Sequence, residues 1–238
     1  MNNVDIIANI KKDLEDLSDP AKAEFLPRFF KTLPGDYAEG DVFVGVSVPN
    51  ARAVARKYQD LPTAQMKHLL RSGIHEHRLT ALLILVDKFT TADAAGREKI
   101  VHFYLDNLKY VNNWDLVDLS ADKILGAYLF DKDRAVLYEL CDSGNLWSQR
   151  VSIMSTFFFI RKGQFDDTFR LAERMLNHTH DLIHKATGWM LRETGKRDKK
   201  AEERFLKKYY KAMPRTMLRY AIEKFSPEER ARYLKGLV

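Results

Sequence analysis

Residues 146–160 read LWSQRVSIMSTFFFI. A polar opening ends on Arg150, and an apolar run follows: Val151, Ile153, Met154 and then Phe157 to Ile160. Apolar residues at three- and four-residue spacing predict a helix. Working outward from Arg150, the same design recurs. Upstream lie VNNWDLVDLSADKI around Trp114 and HEHRLTALLILVDKF around Arg78. Downstream lie LIHKATGWMLRETG around Lys185 and RTMLRYAIEKF around Arg219. The anchors Arg78, Trp114, Arg150, Lys185 and Arg219 are separated by 36, 36, 35 and 34 residues. A period in that range is the mark of helix pairs stacked as a solenoid. The expected fold is therefore all-α, a curved solenoid, forming a single domain over residues 1–238.

Punctuation along the chain agrees. Ser18-Asp19-Pro20, Ser47-Val48-Pro49, Leu61-Pro62, Met213-Pro214 and Ser226-Pro227-Glu228-Glu229 read as helix starts. Gly73, Gly144, Gly163 and Gly195 read as helix ends. Val42 to Val46 is the one strand-like stretch, and Pro49 soon after makes it an extended connector.

The chain has 238 residues, with 39 basic and 33 acidic side chains and a net charge of +6. The sequence pI is about 9.2. Residues 184–238 carry 16 basic and 7 acidic residues, leaving 23 and 26 for residues 1–183. A basic C-terminal quarter on a slightly acidic body suggests a polyanionic partner, and it also fits a lysine-rich solvated surface. No apolar run approaches the roughly 20 residues of a bilayer span. The N-terminal MNNVDIIANIKKDLEDL lacks the pattern of a signal peptide. One cysteine, Cys141, excludes an internal disulfide and points to a reducing cytoplasm. The pairs His75/His77 and His178/His180 are read as polar helix connections, so no metal or other cofactor is expected. Phosphate loops, dinucleotide fingerprints, nucleophile elbows and zinc-protease motifs are absent.

Three stretches could carry chemistry. In Asn112 to Asp118, Trp114 and Asp118 stand four apart and share a helix face. That spacing equally fits a buried tryptophan with Asp118 bonded to a neighbouring helix. In Trp147-Ser148-Gln149-Arg150, a cation near a helix start needs an anionic partner, either a carboxylate such as Asp118 or a phosphate. In Lys185 to Lys196, the residues Lys185, Trp189, Arg192 and Lys196 form a row of cations around an aromatic. Such a row suits a sugar–phosphate backbone, and it also fits a core tryptophan with a basic rim.

The pieces NNWDLVD, NLWSQR and HKATGWMLRETGK, with PAKAEFLPRFFK and FVGVSVPNAR upstream, resemble the AlkD family of bacterial DNA alkylation-repair glycosylases. The similarity runs over nearly the whole chain. It implies a curved stack of HEAT-like repeats with a basic concave face. It also implies a catalytic carboxylate at Asp118, active-site tryptophans at Trp114 and Trp189, and a phosphate-binding arginine at Arg150. The implied partner is duplex DNA bearing cationic lesions such as N3-alkyladenine and N7-alkylguanine, bound without a membrane or a metal by a monomer in the bacterial cytoplasm, at the nucleoid. Arg78, Arg150, Lys185, Arg192, Lys196, Arg215 and Arg219 are the expected DNA contacts. Where the family has a tyrosine in the N-terminal repeats, this chain has Phe29. A non-catalytic DNA-binding solenoid and a protein-binding scaffold are the alternatives. The first binds DNA and releases no base; the second binds no DNA at moderate salt.

Overall fold

Helices begin where the sequence supplies caps. The Asp19 carboxylate accepts from the Ala21 and Lys22 amides at 3.1 and 3.2 Å, with Pro20 next in line. Ser47 caps through the Asn50 amide. Ser226 and Glu229 exchange hydrogen bonds at 3.2 and 3.0 Å as a capping box. The computed structural model describes residues 3–238. It divides into two compact units, Met1–Ser120 and Ala121–Val238.

The first unit holds α1 (Asn3–Glu15), α2 (Pro20–Phe30), α3 (Val48–Lys57), α4 (Thr63–Leu70), α5 (His75–Thr91), α6 (Ala94–Asp106) and α7 (Trp114–Ala121). Helix α5 is buried continuously from His75 to Val86 and packs against α1, α3, α4 and α6. A helix covered on all sides is a core element. The sequence spacing of His75 and His77 suggests a polar connection. They instead open this helix and are buried, because the connector from Val42 lies over its first turn.

That connector is extended, as its sequence suggests. It forms a single parallel bridge, Val42 to Ile74, and no strand occurs among the described residues. The buried Glu76 carboxylate accepts from the amides of Val44, Gly45 and Val46 at 3.1, 2.8 and 3.3 Å. It thereby satisfies backbone donors that a lone extended segment would leave unpaired.

The second unit begins with a π-helical turn, Asp122–Gly126, and continues through α8 (Ala127–Leu129), α9 (Ala135–Asp142), α10 (Leu146–Arg161), α11 (Asp166–Arg174), α12 (Asp181–Gly195), α13 (Lys199–Tyr209), α14 (Arg215–Ala221) and α15 (Pro227–Lys235). Helix α12 packs on α10 and α14, with α9 and α11 behind α10 and α13 behind α12. Arg150, Lys185 and Arg219 are each the fifth residue of their helices, so the sequence period is a true structural register here. Gly188 lets α12 and α14 touch: a Cβ there would stand 2.4 Å from the Met217 carbonyl oxygen. No helix of the described residues is long and apolar enough to cross a membrane.

Candidate active site

The first unit builds its site from the start of α7. Asn113 is fully buried, and its Oδ1 accepts from the Trp114 amide at 2.8 Å. Its carbonyl accepts from the Val117 amide at 3.1 Å, which launches the helix. Trp114 is half-buried. One side of its indole stacks on Phe30, with centroids 5.2 Å apart and planes at 16°. Phe29 meets it edge-on at 6.0 Å. Asp118, also half-buried, follows one helical turn later. A carboxylate and an aromatic thus occupy one partly open helix face, and both groups attract positive charge. Phe29 itself is 52% exposed beside Trp114 and offers a ring without a hydroxyl.

Beneath this face lies a buried polar cluster. His75 Nε2 bonds Asp115 Oδ2 at 2.8 Å, and its Nδ1 bonds Asp41 Oδ2 at 3.3 Å. Arg78 donates to Asp41 Oδ1 at 2.6 Å, and Asn113 donates to Asp41 Oδ2 at 3.1 Å. Burial alone would lower the imidazole's affinity for a proton. The hydrogen bonds to Asp115 and Asp41 outweigh burial and raise its pKa to about 8. Burial likewise works to raise Asp41, but the His75, Arg78 and Asn113 contacts hold it below the usual carboxylate range. His77, by contrast, is pushed down to about 4 by burial and by the charges of Lys11 and Arg78.

Arg78 therefore departs from its expected place in an open groove. It is 3% exposed and committed to Asp41 and to the Ser72 carbonyl at 2.9 Å. Desolvating a guanidinium demands such partners, and with them made it is a structural cation.

In the second unit, Arg150 is 4% exposed, and its Nη1 donates to the Leu182 carbonyl at 2.6 Å. Trp189 is half-buried, lies 6.0 Å from Phe157 and donates from Nε1 to Glu193 at 3.2 Å. The row of cations on α12 is more balanced than expected. Lys185 pairs with Asp181 at 2.7 Å, Lys196 with Glu193 at 2.5 Å, and Arg192 with Glu223. Arg215 is exposed and donates to the Leu234 carbonyl at 3.0 Å. Arg219 is exposed and forms no ion pair with the described residues. No group of three or more His, Cys, Asp or Glu suited to a metal occurs among the described residues.

Sequence reasoning missed the cluster of Asp41, His75 and Asp115. Its members lie 34 and 40 residues apart and belong to three different elements. The available signal was two histidines and a glutamate heading an otherwise apolar helix.

Stacked helix pairs with no sheet among the described residues define an all-α helical-repeat protein. A family model described as DNA alkylation repair enzyme matches residues 10–225, a span that runs through both units. Among solved structures, a predicted DNA alkylation repair enzyme from Enterococcus faecalis is similar in fold. It has 15% identity and a TM-score of 0.68, covering 88% of this chain and 97% of that one. A search of curated proteins gave no significant match. The chain belongs to the DNA alkylation repair enzyme family.

Proposed function

We propose that this chain is a DNA glycosylase that hydrolyses the N-glycosidic bond of cationic alkylated bases, such as N3-alkyladenine and N7-alkylguanine, in duplex DNA. The observation that carries the reading is the partly open face of α7, where Trp114 and Asp118 stand one turn apart in a chain of an alkylation-repair family. The chemistry follows from the substrate's charge. An alkylated base that is already cationic leaves with the glycosidic electron pair and becomes neutral, so no strong general acid is needed. Positive charge then develops on the deoxyribose. Asp118 stabilises that charge and accepts a proton from the water that bonds to C1′. The same carboxylate logic governs glycosidic bonds in sugars. The face of Trp114 packs against the sugar and favours its cationic character. The exposed Arg215 and Arg219 supply the cations for backbone contacts, while Arg150, buried against the Leu182 carbonyl, ties α10 to the start of α12.

The test is duplex DNA carrying N7-methylguanine, assayed for abasic sites. The wild-type protein releases the base. Asp118→Asn lowers release by roughly 10²-fold or more while DNA affinity holds. Binding without release by the wild-type protein refutes the reading in favour of a DNA-binding repeat protein. Equal activity in Asp118→Asn refutes the choice of carboxylate.

A further inference from the structure

We infer that His75, clamped between Asp41 and Asp115, is a positioning residue that sets the start of α7 and so aims Trp114 and Asp118. The inference rests on the proposed excision chemistry for its consequence in rate, but its structural basis is independent of it.

Two routes lead from the imidazole to the active face. The polar route passes through Asp115, whose Oδ2 takes the His75 bond while its Oδ1 takes the Leu116 amide at 2.9 Å. A parallel branch runs from Asp41 to Asn113, the residue that launches the helix. The apolar route is a stack of rings. Phe43 lies on His75 at 4.7 Å and 26°, Phe30 lies on Phe43 at 4.9 Å and 21°, and Trp114 lies on Phe30. The imidazole therefore fixes the first turn of α7 through its peptide groups and fixes the Trp114 ring through its neighbours. Asp118 is carried on the same turn-to-turn register, and a small rotation of α7 moves both.

The clamp works only when charged. The ionic groups facing the imidazole are Asp41 from the connector, Asp115 from α7 and Arg78 from α5; Asn113 adds a neutral donor. With His75 protonated, two cations meet two carboxylates and the cluster is neutral. A neutral imidazole carries a single N–H. It can donate to one carboxylate and must turn a lone pair toward the other, so one end of the clamp opens.

The experiment compares the wild-type protein with His75→Gln in N7-methylguanine release between pH 6.5 and 9. The substrate's own titration is common to both, so the ratio of rates isolates His75. The expected ratio is roughly tenfold or more at pH 6.5, in kcat rather than KM. It should fall toward one as pH passes about 8. A ratio near one at pH 6.5, or one that stays constant with pH, overturns the inference. A second readout needs no excision. In a Trp147→Phe, Trp189→Phe protein, Trp114 is the sole tryptophan, and its selectively excited emission should change with a midpoint near pH 8. Adding His75→Gln should remove that transition. If the wild-type protein releases no base, the proposed function falls while the emission still decides the positioning role. Flat emission overturns it.

Discussion

Glu202 offers a quantitative test of the second unit. It lies on α13 at 1% exposure, and its Oε1 has no hydrogen-bond partner. Its other oxygen occupies space that only a glycine neighbour leaves: a Cβ on Gly195 would stand 1.7 Å from it. Burial raises its pKa first, and the adjacent Glu203 charge adds to that. Lys199 and Arg192 pull it back only in part, so the carboxyl reaches about 9 against an ordinary 4.5. The folded state therefore holds a proton that the unfolded chain releases. Stability from this group is complete below pH 4.5 and is lost as pH rises through 9. Across that window the loss is about 1.4 kcal/mol per pH unit. Glu202→Gln keeps the shape and removes the titration. The glutamine's own packing cost is the same at every pH, so the informative quantity is a difference of differences. Relative to wild type, the variant should gain about 4 kcal/mol between pH 5 and pH 8. Urea unfolding measures it, followed by the fluorescence of Trp147 and Trp189 in a Trp114→Phe background, since both lie in the unit that contains Glu202. A variant whose stability relative to wild type is the same at pH 5 and pH 8 would show that Glu202 is ionised in the fold.

Two further predictions concern packing and charge. Gly188→Ala places its methyl 2.4 Å from the Met217 carbonyl and 2.6 Å from the Tyr220 Cβ; forcing α12 and α14 apart should cost roughly 1–3 kcal/mol in denaturant midpoints. Arg78→Ala and Arg219→Ala should separate structure from DNA contact. The first leaves His75 as the one cation between Asp41 and Asp115, a buried cluster with one negative charge in excess, and should cost roughly 3–5 kcal/mol of stability, with the salt slope of DNA binding unchanged. The second should leave stability intact and lower that slope by about 1.

Much of this architecture is legible from spacing and caps. The 34–36-residue interval places Arg150, Lys185 and Arg219 at equivalent points of α10, α12 and α14, because a local helical pattern repeated at a fixed interval is written directly into the chain. The caps at Asp19, Ser47 and Ser226 are equally local. Arg78 shares the same period and, like Arg150, is buried; what decides its fate is Asp41, 37 residues away on an irregular connector. Period alone carries no information about that partner. The α12 cations show the same limit. Arg192 meets Glu223 across 31 residues, and neither helix pattern specifies the pairing. For Trp114 the shared face with Asp118 can be read from the sequence. The degree of exposure cannot, because its cover is Phe30, 84 residues earlier.

The contrast between the two faces of α7 suggests why a buried ionic cluster stands where an apolar core would serve stability as well. Apolar packing is non-directional and tolerates rotation of a short helix about its axis. Helix α7 starts at Trp114 and runs straight on into the π-helical turn Asp122–Gly126, so its first turn, which carries the indole, is the end that needs fixing. Hydrogen bonds to Asp41 from Asn113, Arg78 and His75, and from His75 to Asp115, are directional and fail together if the helix turns. The ionic cluster gains little net stability over an apolar replacement, and in exchange it specifies one orientation. In the proposed excision, a carboxylate and an indole that face developing charge on a sugar depend on that orientation to within a fraction of an ångström. By this reasoning a well-packed apolar replacement of His75 and Asp115 should leave the fold as stable as before. It should still impair excision, with the loss falling on kcat rather than on DNA affinity, and an apolar replacement that kept the full rate would refute the orientational role.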